Sequence, residues 1–156
     1  MPQYQLHSKL NRPPTDTLAI HCGDFRFQQA FHEFLTTTLK LGEAYDLMVL
    51  PGGPLSLTHQ LSHSEDTRSA RKWVRFFVEN HGIQRVVLIQ HQDCAWYQSM
   101  SAQLRDPAAL RRRQEQDLQR AVEVLRESFP DRNLRVELYF AGWNEDDTIT
   151  IESIEA

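Results

Sequence analysis

The feature that most constrains this chain is the regular alternation of short apolar runs with amphipathic helical stripes. Thr17 to Cys22 (TLAIHC) is apolar, bounded by Pro and Gly signals, and reads as a buried strand. Phe27, Ala30, Phe31, Phe34 and Leu35 then fall on one helical face, with a natural stop at Gly42. Asp46 to Leu50 (DLMVL) is a second buried strand, ended by Pro51-Gly52-Gly53-Pro54. Ser62 and Glu65 have capping-box spacing, ahead of a helix whose apolar face is Ala70, Trp73, Val74 and Phe77, closed by Gly82. Gln84 to Gln90 (QRVVLIQ) is the third strand. Asp106-Pro107 supplies an N-cap and first helical residue. The helix behind them carries Leu110, Leu118, Ala121, Val122, Leu125 and Phe129 up to Pro130. Leu134 to Phe140 is a fourth strand, and Thr148 to Ile151 alternates as a short edge strand. Strands alternating with helices predict an α/β fold: a single domain with a mostly parallel sheet flanked by helices on both faces. The domain is expected over residues 17–156, behind a short N-terminal arm of residues 1–16.

A chain of 156 residues is long enough to bury a core without disulfides or a structural metal. A net charge of −4 and a pI near 6.0 argue against nucleic acid as a partner. No run approaches the ~20 apolar residues of a membrane span, and the polar stretch Met1 to Pro14 lacks the apolar core of a signal peptide. The expectation is a cytoplasmic protein without membrane partners. Arg111-Arg112-Arg113 could suggest a phosphate site, but Glu115 and Asp117 follow on the same helix, so a solvated mixed-charge face is the better reading.

Ligands of open α/β sheets bind beyond the carboxyl ends of the strands, where strand order reverses. The first strand ends at Cys22, followed by Gly23-Asp24-Phe25-Arg26; the third ends before His91-Gln92-Asp93-Cys94. If those strands are neighbours, both segments meet at the switch point. Cys22 and Cys94 are the only cysteines of the chain. Two thiolates and an imidazole make a good zinc set, and three protein ligands is the count of a catalytic site with one open position. Asp24 and Arg26 are placed for a carboxylate held by paired hydrogen bonds. Such a carboxylate can accept from metal-bound water, or swing in as a fourth ligand; the plainer reading is a surface ion pair. His21 points to the face opposite Cys22 and reads as a packed or supporting residue. His32, His59, His63 and His81 read as solvated, and Trp96 and Tyr97 either wall the pocket or belong to the core. A metal-free redox or nucleotide-binding protein is the competing class. No Gly-x-Gly-x-x-Gly follows the first strand and no Cys-x-x-Cys occurs, while the Pro51–Pro54 loop suits a plain turn better than a phosphate cradle.

Cys22-x-Asp24-x-Arg26 followed much later by His91-x-x-Cys94 resembles the β-class carbonic anhydrases, with all five motif positions matched and the element order similar from about Leu18 to Trp143. The resemblance implies zinc on Cys22, His91 and Cys94, a catalytic Asp24–Arg26 dyad with Asp24 as a possible fourth ligand, and a homodimer or higher even oligomer. It implies zinc-dependent reversible hydration of carbon dioxide to bicarbonate by a metal-bound hydroxide. The alternatives are a non-catalytic zinc protein of the same fold and a hydrolase of carbonyl sulfide or carbon disulfide. The chain departs from the family pattern in three places. Gln90 and Ala95 flank His-x-x-Cys where glycine is usual; Leu50-Pro51-Gly52-Gly53 stands for Arg-Asn-Ala-Gly; and the stretch ahead of the first strand is short for a clasp around a partner subunit.

Overall fold

The computed structural model describes residues 1–11, 13–58 and 64–155. Its strands are β1 (Thr17–Cys22), β2 (Asp46–Leu50), β3 (Arg85–His91), β4 (Arg135–Trp143) and β5 (Ile149–Ile154). Its α-helices are α1 (Gln28–Glu33), α2 (Ser64–Asn80), α3 (Ala95–Met100) and α4 (Pro107–Ser128). The sheet order is β2-β1-β3-β4-β5. The first four strands are parallel, and β5 returns antiparallel along β4. β1 and β3 are therefore neighbours, paired from Thr17 with Arg85 to His21 with Ile89. The chain leaves β1 toward one edge and comes back on its other side, so the strand order reverses between them.

Side-chain alternation divides the core into two layers. Leu18, Ile20, Val86, Leu88 and Leu138 pack beneath α2 and α4 through Ala70, Val74, Val78, Leu118, Ala121 and Leu125. Ala19, Val87, Ile89 and Ala141 face the other way, against Phe27, Phe31, Phe34 and Leu35. Helices thus cover both faces, as the alternating pattern implies.

The first helical stripe differs in geometry from its expectation. It is a 3-10 turn at Phe25–Phe27, then α1, then a π-helical turn at Phe34–Thr38. Phe27, Phe31, Phe34 and Leu35 still land on the sheet. In α2 the buried residues are Thr67, Ala70, Val74 and Val78, so Trp73 does not belong to the buried stripe; it is 46% exposed. The capping box proposed at Ser62, and His59 and His63, lie outside the described residues. At α4 the cap is as expected: Asp106 Oδ1 accepts from the Ala109 N–H at 2.7 Å, with Pro107 first in the helix. Arg111 and Arg113 pair with Glu115 and Asp117 one turn on, but Asp117 is buried rather than solvated. Among the described residues, positions 1–16 contain no helix or strand, and no helix is long and apolar enough to cross a membrane.

Candidate metal centre

Two sheet faces converge at the carboxyl ends of β1 and β3. Cys22 continues the row of Leu18 and Ile20, whereas His91 continues the row of Val87 and Ile89, so the two side chains start from opposite faces. They meet because β3 ends one residue further along than β1 and both chains turn over the sheet edge. The turn after β3 passes through Asp93 at φ 57°, a left-handed conformation that aspartate tolerates, and brings Cys94 back as the residue that opens α3. All three side chains are buried, and Cys22 Sγ, Cys94 Sγ and an imidazole nitrogen lie within 4.8 Å of one another.

Both cysteines are free thiols with sulfurs 3.9 Å apart. Two sulfurs bound at ~2.3 Å to one tetrahedral ion would lie ~3.8 Å apart, so the spacing fits zinc and is far too long for a disulfide. His91 Nδ1 is 2.8 Å from the Gln92 carbonyl. A carbonyl only accepts, so Nδ1 carries the proton and the lone pair of the neutral ring sits on Nε2. That Nε2 is buried without a hydrogen-bond partner. A buried, unpartnered imidazole nitrogen costs free energy unless something binds it, and a metal ion beside two thiols is what this donor set suits.

The contact between the two thiols shifts them in opposite directions. Hydrogen bonding from Cys94 is the main influence pulling the Cys22 thiol down, against burial, and His91 and the Gly52 backbone N–H act in the same direction. The same contact, with burial, pushes Cys94 up.

Asp24 stands outside the donor group, gripped by Arg26. Arg26 Nε donates to Asp24 Oδ1 at 3.0 Å and Nη2 to Oδ2 at 2.7 Å, a two-pronged pair, while the Arg26 backbone N–H donates to Oδ1. These bonds hold the Asp24 carboxyl below its usual range. The sequence reading missed Asp93, which also binds Arg26: Nη1 donates to its Oδ2 at 2.9 Å and Nη2 to its carbonyl at 3.0 Å. The signal available was an aspartate inside the His-x-x-Cys turn, but only the fold carries Arg26 across to it. Arg26 also lies over the Trp143 ring, 5.5 Å from its centroid.

The other singled-out residues divide clearly. His21 is buried against Phe31, with its ring donating to the Cys22 carbonyl at 2.9 Å, and burial lowers its pKa. Tyr97 is fully buried beside both cysteines. Half-buried Trp96 lines, with Leu50, Pro51, Leu55, Trp73 and Met100, an apolar cavity of about 250 Å³. Leu55 belongs to both the cavity wall and the cluster around the cysteines. His32 and His81 are exposed, and His81 pairs with Asp46. Ala95, in place of the expected glycine, is exposed, so its methyl crowds nothing. The Pro51–Pro54 loop is not a free turn. It packs onto β1: a Cβ on Gly53 would sit 2.8 Å from the Cys22 nitrogen.

The family whose sequence profile matches residues 14–150 is described as putative carbonic anhydrase. No curated protein sequence matches the chain significantly. Among solved structures, a β-carbonic anhydrase of the fungal pathogen Aspergillus fumigatus superposes with a TM-score of 0.59 at 14% identity, covering 91% of this chain and 76% of that one. A β-carbonic anhydrase of the protozoan Trichomonas vaginalis gives 0.55 at 14% identity, covering 92% and 86%. One of two tetrameric β-carbonic anhydrases of the ascomycete Sordaria macrospora gives 0.53 at 13% identity, covering 91% and 83%. At these identities the likeness is one of fold.

Proposed function

We propose that this chain, which belongs to the carbonic anhydrase family and carries the β-carbonic anhydrase fold, catalyses the reversible hydration of carbon dioxide to bicarbonate with zinc held by Cys22, His91 and Cys94. The observation that carries the reading is the buried donor set itself. It comprises two thiols in contact and an imidazole whose buried Nε2 has no hydrogen-bond partner. When bound, zinc supplies the Lewis acidity that lowers the pKa of water from 15.7 toward ~7 in favourable sites.

The protein residues set what that acidity can do. Two thiolates offset the charge of the ion, so water is acidified less than beside three neutral imidazoles. Asp24 stays ionised and is therefore an acceptor only; it can orient the O–H of an attacking water but cannot donate to it. Arg26 keeps both Asp24 oxygens engaged, which restrains the carboxylate from the fourth metal position and favours a catalytic over a closed site. The apolar cavity behind Leu55 suits a small, uncharged substrate. A homodimer or higher even oligomer is part of the same reading. β2 is an edge strand, and Leu47, Val49, Trp73 and Phe76 beside it are 43–52% exposed.

The test is metal analysis of the purified protein followed by stopped-flow carbon dioxide hydration from neutral to alkaline pH. Zinc at about one ion per chain is expected from the ligand count, with activity that rises with pH, and Cys94→Ser should lose both. Zinc retained at full occupancy in Cys94→Ser would overturn the ligand assignment. Bound zinc without carbon dioxide hydration at any pH would overturn the activity, and carbonyl sulfide and carbon disulfide assayed on the same preparation would then identify a different substrate.

A further inference from the structure

Gln90 stands where the family pattern has glycine, and the structure gives that side chain a place no glycine could fill. It is completely buried at the end of β3. Its Nε2 donates to the Gly52 carbonyl at 3.2 Å and to the Tyr97 hydroxyl oxygen at 2.9 Å. Its Oε1 accepts from Gln114 Nε2 at 3.4 Å, and that nitrogen also donates to the His91 carbonyl at 2.9 Å. Backbone carbonyls at Gly52 and His91 fix the orientation of both amides, since turning either one would set oxygen against oxygen.

Each of these contacts belongs to a segment that carries a candidate ligand. Gly52 precedes Gly53 in the loop that packs on β1, where an added Cβ at Gly53 would sit 2.8 Å from the Cys22 nitrogen. Tyr97 lies in the helix opened by Cys94. The His91 carbonyl is the backbone of the third ligand, adjacent in sequence to Gln90 and held from behind by Gln114 of α4.

We propose that Gln90 is a positioning residue for the metal centre: one buried amide that ties the Cys22, His91 and Cys94 segments into a single preset geometry. It hydrogen-bonds to no candidate ligand side chain and acts through the main chain and through Tyr97 and Gln114. Partners that orient metal ligands from behind typically change metal affinity by about 10- to 100-fold when removed, and a glycine at position 90 would leave the Gly52 loop and α3 without this tie. The proposal rests on the zinc reading above.

Gln90→Met keeps the side-chain length and volume but removes every hydrogen bond. Zinc affinity measured by chelator competition should weaken about 10- to 100-fold, and the cobalt-substituted variant should show shifted or broadened ligand-field and thiolate charge-transfer bands. A purely structural contribution would lower the melting temperature without moving those bands. A Gln90→Met protein that melts cooperatively with the parental zinc affinity and cobalt spectrum overturns the proposal. If Gln90→Met does not fold, Tyr97→Phe and Gln114→Met each remove one contact of the tie, and parental affinity and spectra in both overturn it equally. Failure of the parent protein to bind zinc or cobalt is a different result: it removes the metal reading, and this proposal with it.

Discussion

Gly53→Ala tests whether the loop after β2 is part of the metal centre, and Gly82→Ala is its internal control. Both glycines have left-handed backbones, at φ 52° and 69°. An alanine in that region costs roughly 1–2 kcal/mol wherever it occurs. At Gly82 nothing lies within 4 Å of the added methyl, so the backbone cost is the whole effect. At Gly53 the methyl would meet the Cys22 nitrogen and the His21 carbonyl carbon at 2.8 Å, and the His21 Cα at 3.1 Å. These are backbone atoms of a central strand and cannot rotate away. The loop must lift instead, adding roughly 1–3 kcal/mol of overpacking cost. Gly53→Ala should therefore be less stable than Gly82→Ala by that increment. For a chain of this size that is a melting temperature lower by about 2–4 °C for each kcal/mol. The loop lifts off the Cys22 backbone, so zinc affinity should fall in Gly53→Ala and stay parental in Gly82→Ala. Denaturant unfolding of the metal-free proteins, with chelator competition on the same samples, reads both effects. Equal destabilisation by the two substitutions, with equal zinc affinity, would refute the claim that this loop braces the ligand.

Four further outcomes follow from the same structure. Arg26→Ala should retain zinc but lose about 10- to 100-fold in carbon dioxide hydration, because Asp24 loses its orienting partner; loss of zinc in that variant would make Arg26 structural. The same variant should also have a flatter acid limb of stability. Arg26 depresses the Asp24 and Asp93 carboxyls, so their contribution is present above the ordinary carboxylate range and is lost as pH falls through the folded values. Partial exposure of the cluster keeps that contribution small, and an unchanged acid limb in urea titrations at several pH values would count against it. Because contact with Cys94 pulls the Cys22 thiol below its ordinary value, zinc binding near neutral pH should release fewer protons than the two that a pair of ordinary thiols would give up; calorimetry in buffers of different ionisation enthalpy measures the number, and a full two would count against it. The parent should sediment as a dimer or higher even oligomer, and Phe76→Glu, which puts charge into the exposed patch beside β2, should shift it toward monomer; a monomeric parent at micromolar concentration would refute the oligomer.

Much of the architecture was legible because burial leaves periodic traces. TLAIHC and RVVLIQ are apolar on both faces, as strands covered by helices on either side must be; that they are neighbours, a condition in the sequence reading, is decided by the sheet order. Asp106-Pro107 marked a helix start that depends only on local backbone chemistry. Helix pitch was less legible. The stripe from Phe27 to Leu35 reads the same whether its turns are 3-10, α or π, since all of them can bury the same residues. Trp73 shares the spacing of its buried neighbours and is still 46% exposed, on the side of α2 where the sheet ends at β2.

For the metal centre the division is sharper. The sequence by itself determined the donor types, two thiols and an imidazole at the ends of two buried strands, and the Asp24–Arg26 pair, since two residues apart on one turn is close enough to bond in almost any fold. Only the tertiary structure decided that Arg26 also reaches Asp93, 67 residues away in sequence. It alone decided that Gly53 lies against Cys22 and that Gln90 gathers Gly52, Tyr97 and Gln114 into one buried cluster. The physical reason is the range of the interactions. Strand and helix periodicity, caps and adjacent charge pairs are set by neighbours along the chain, whereas a buried amide or a clash-free glycine is defined by atoms brought from distant segments, and it exists only once the sheet has placed them together.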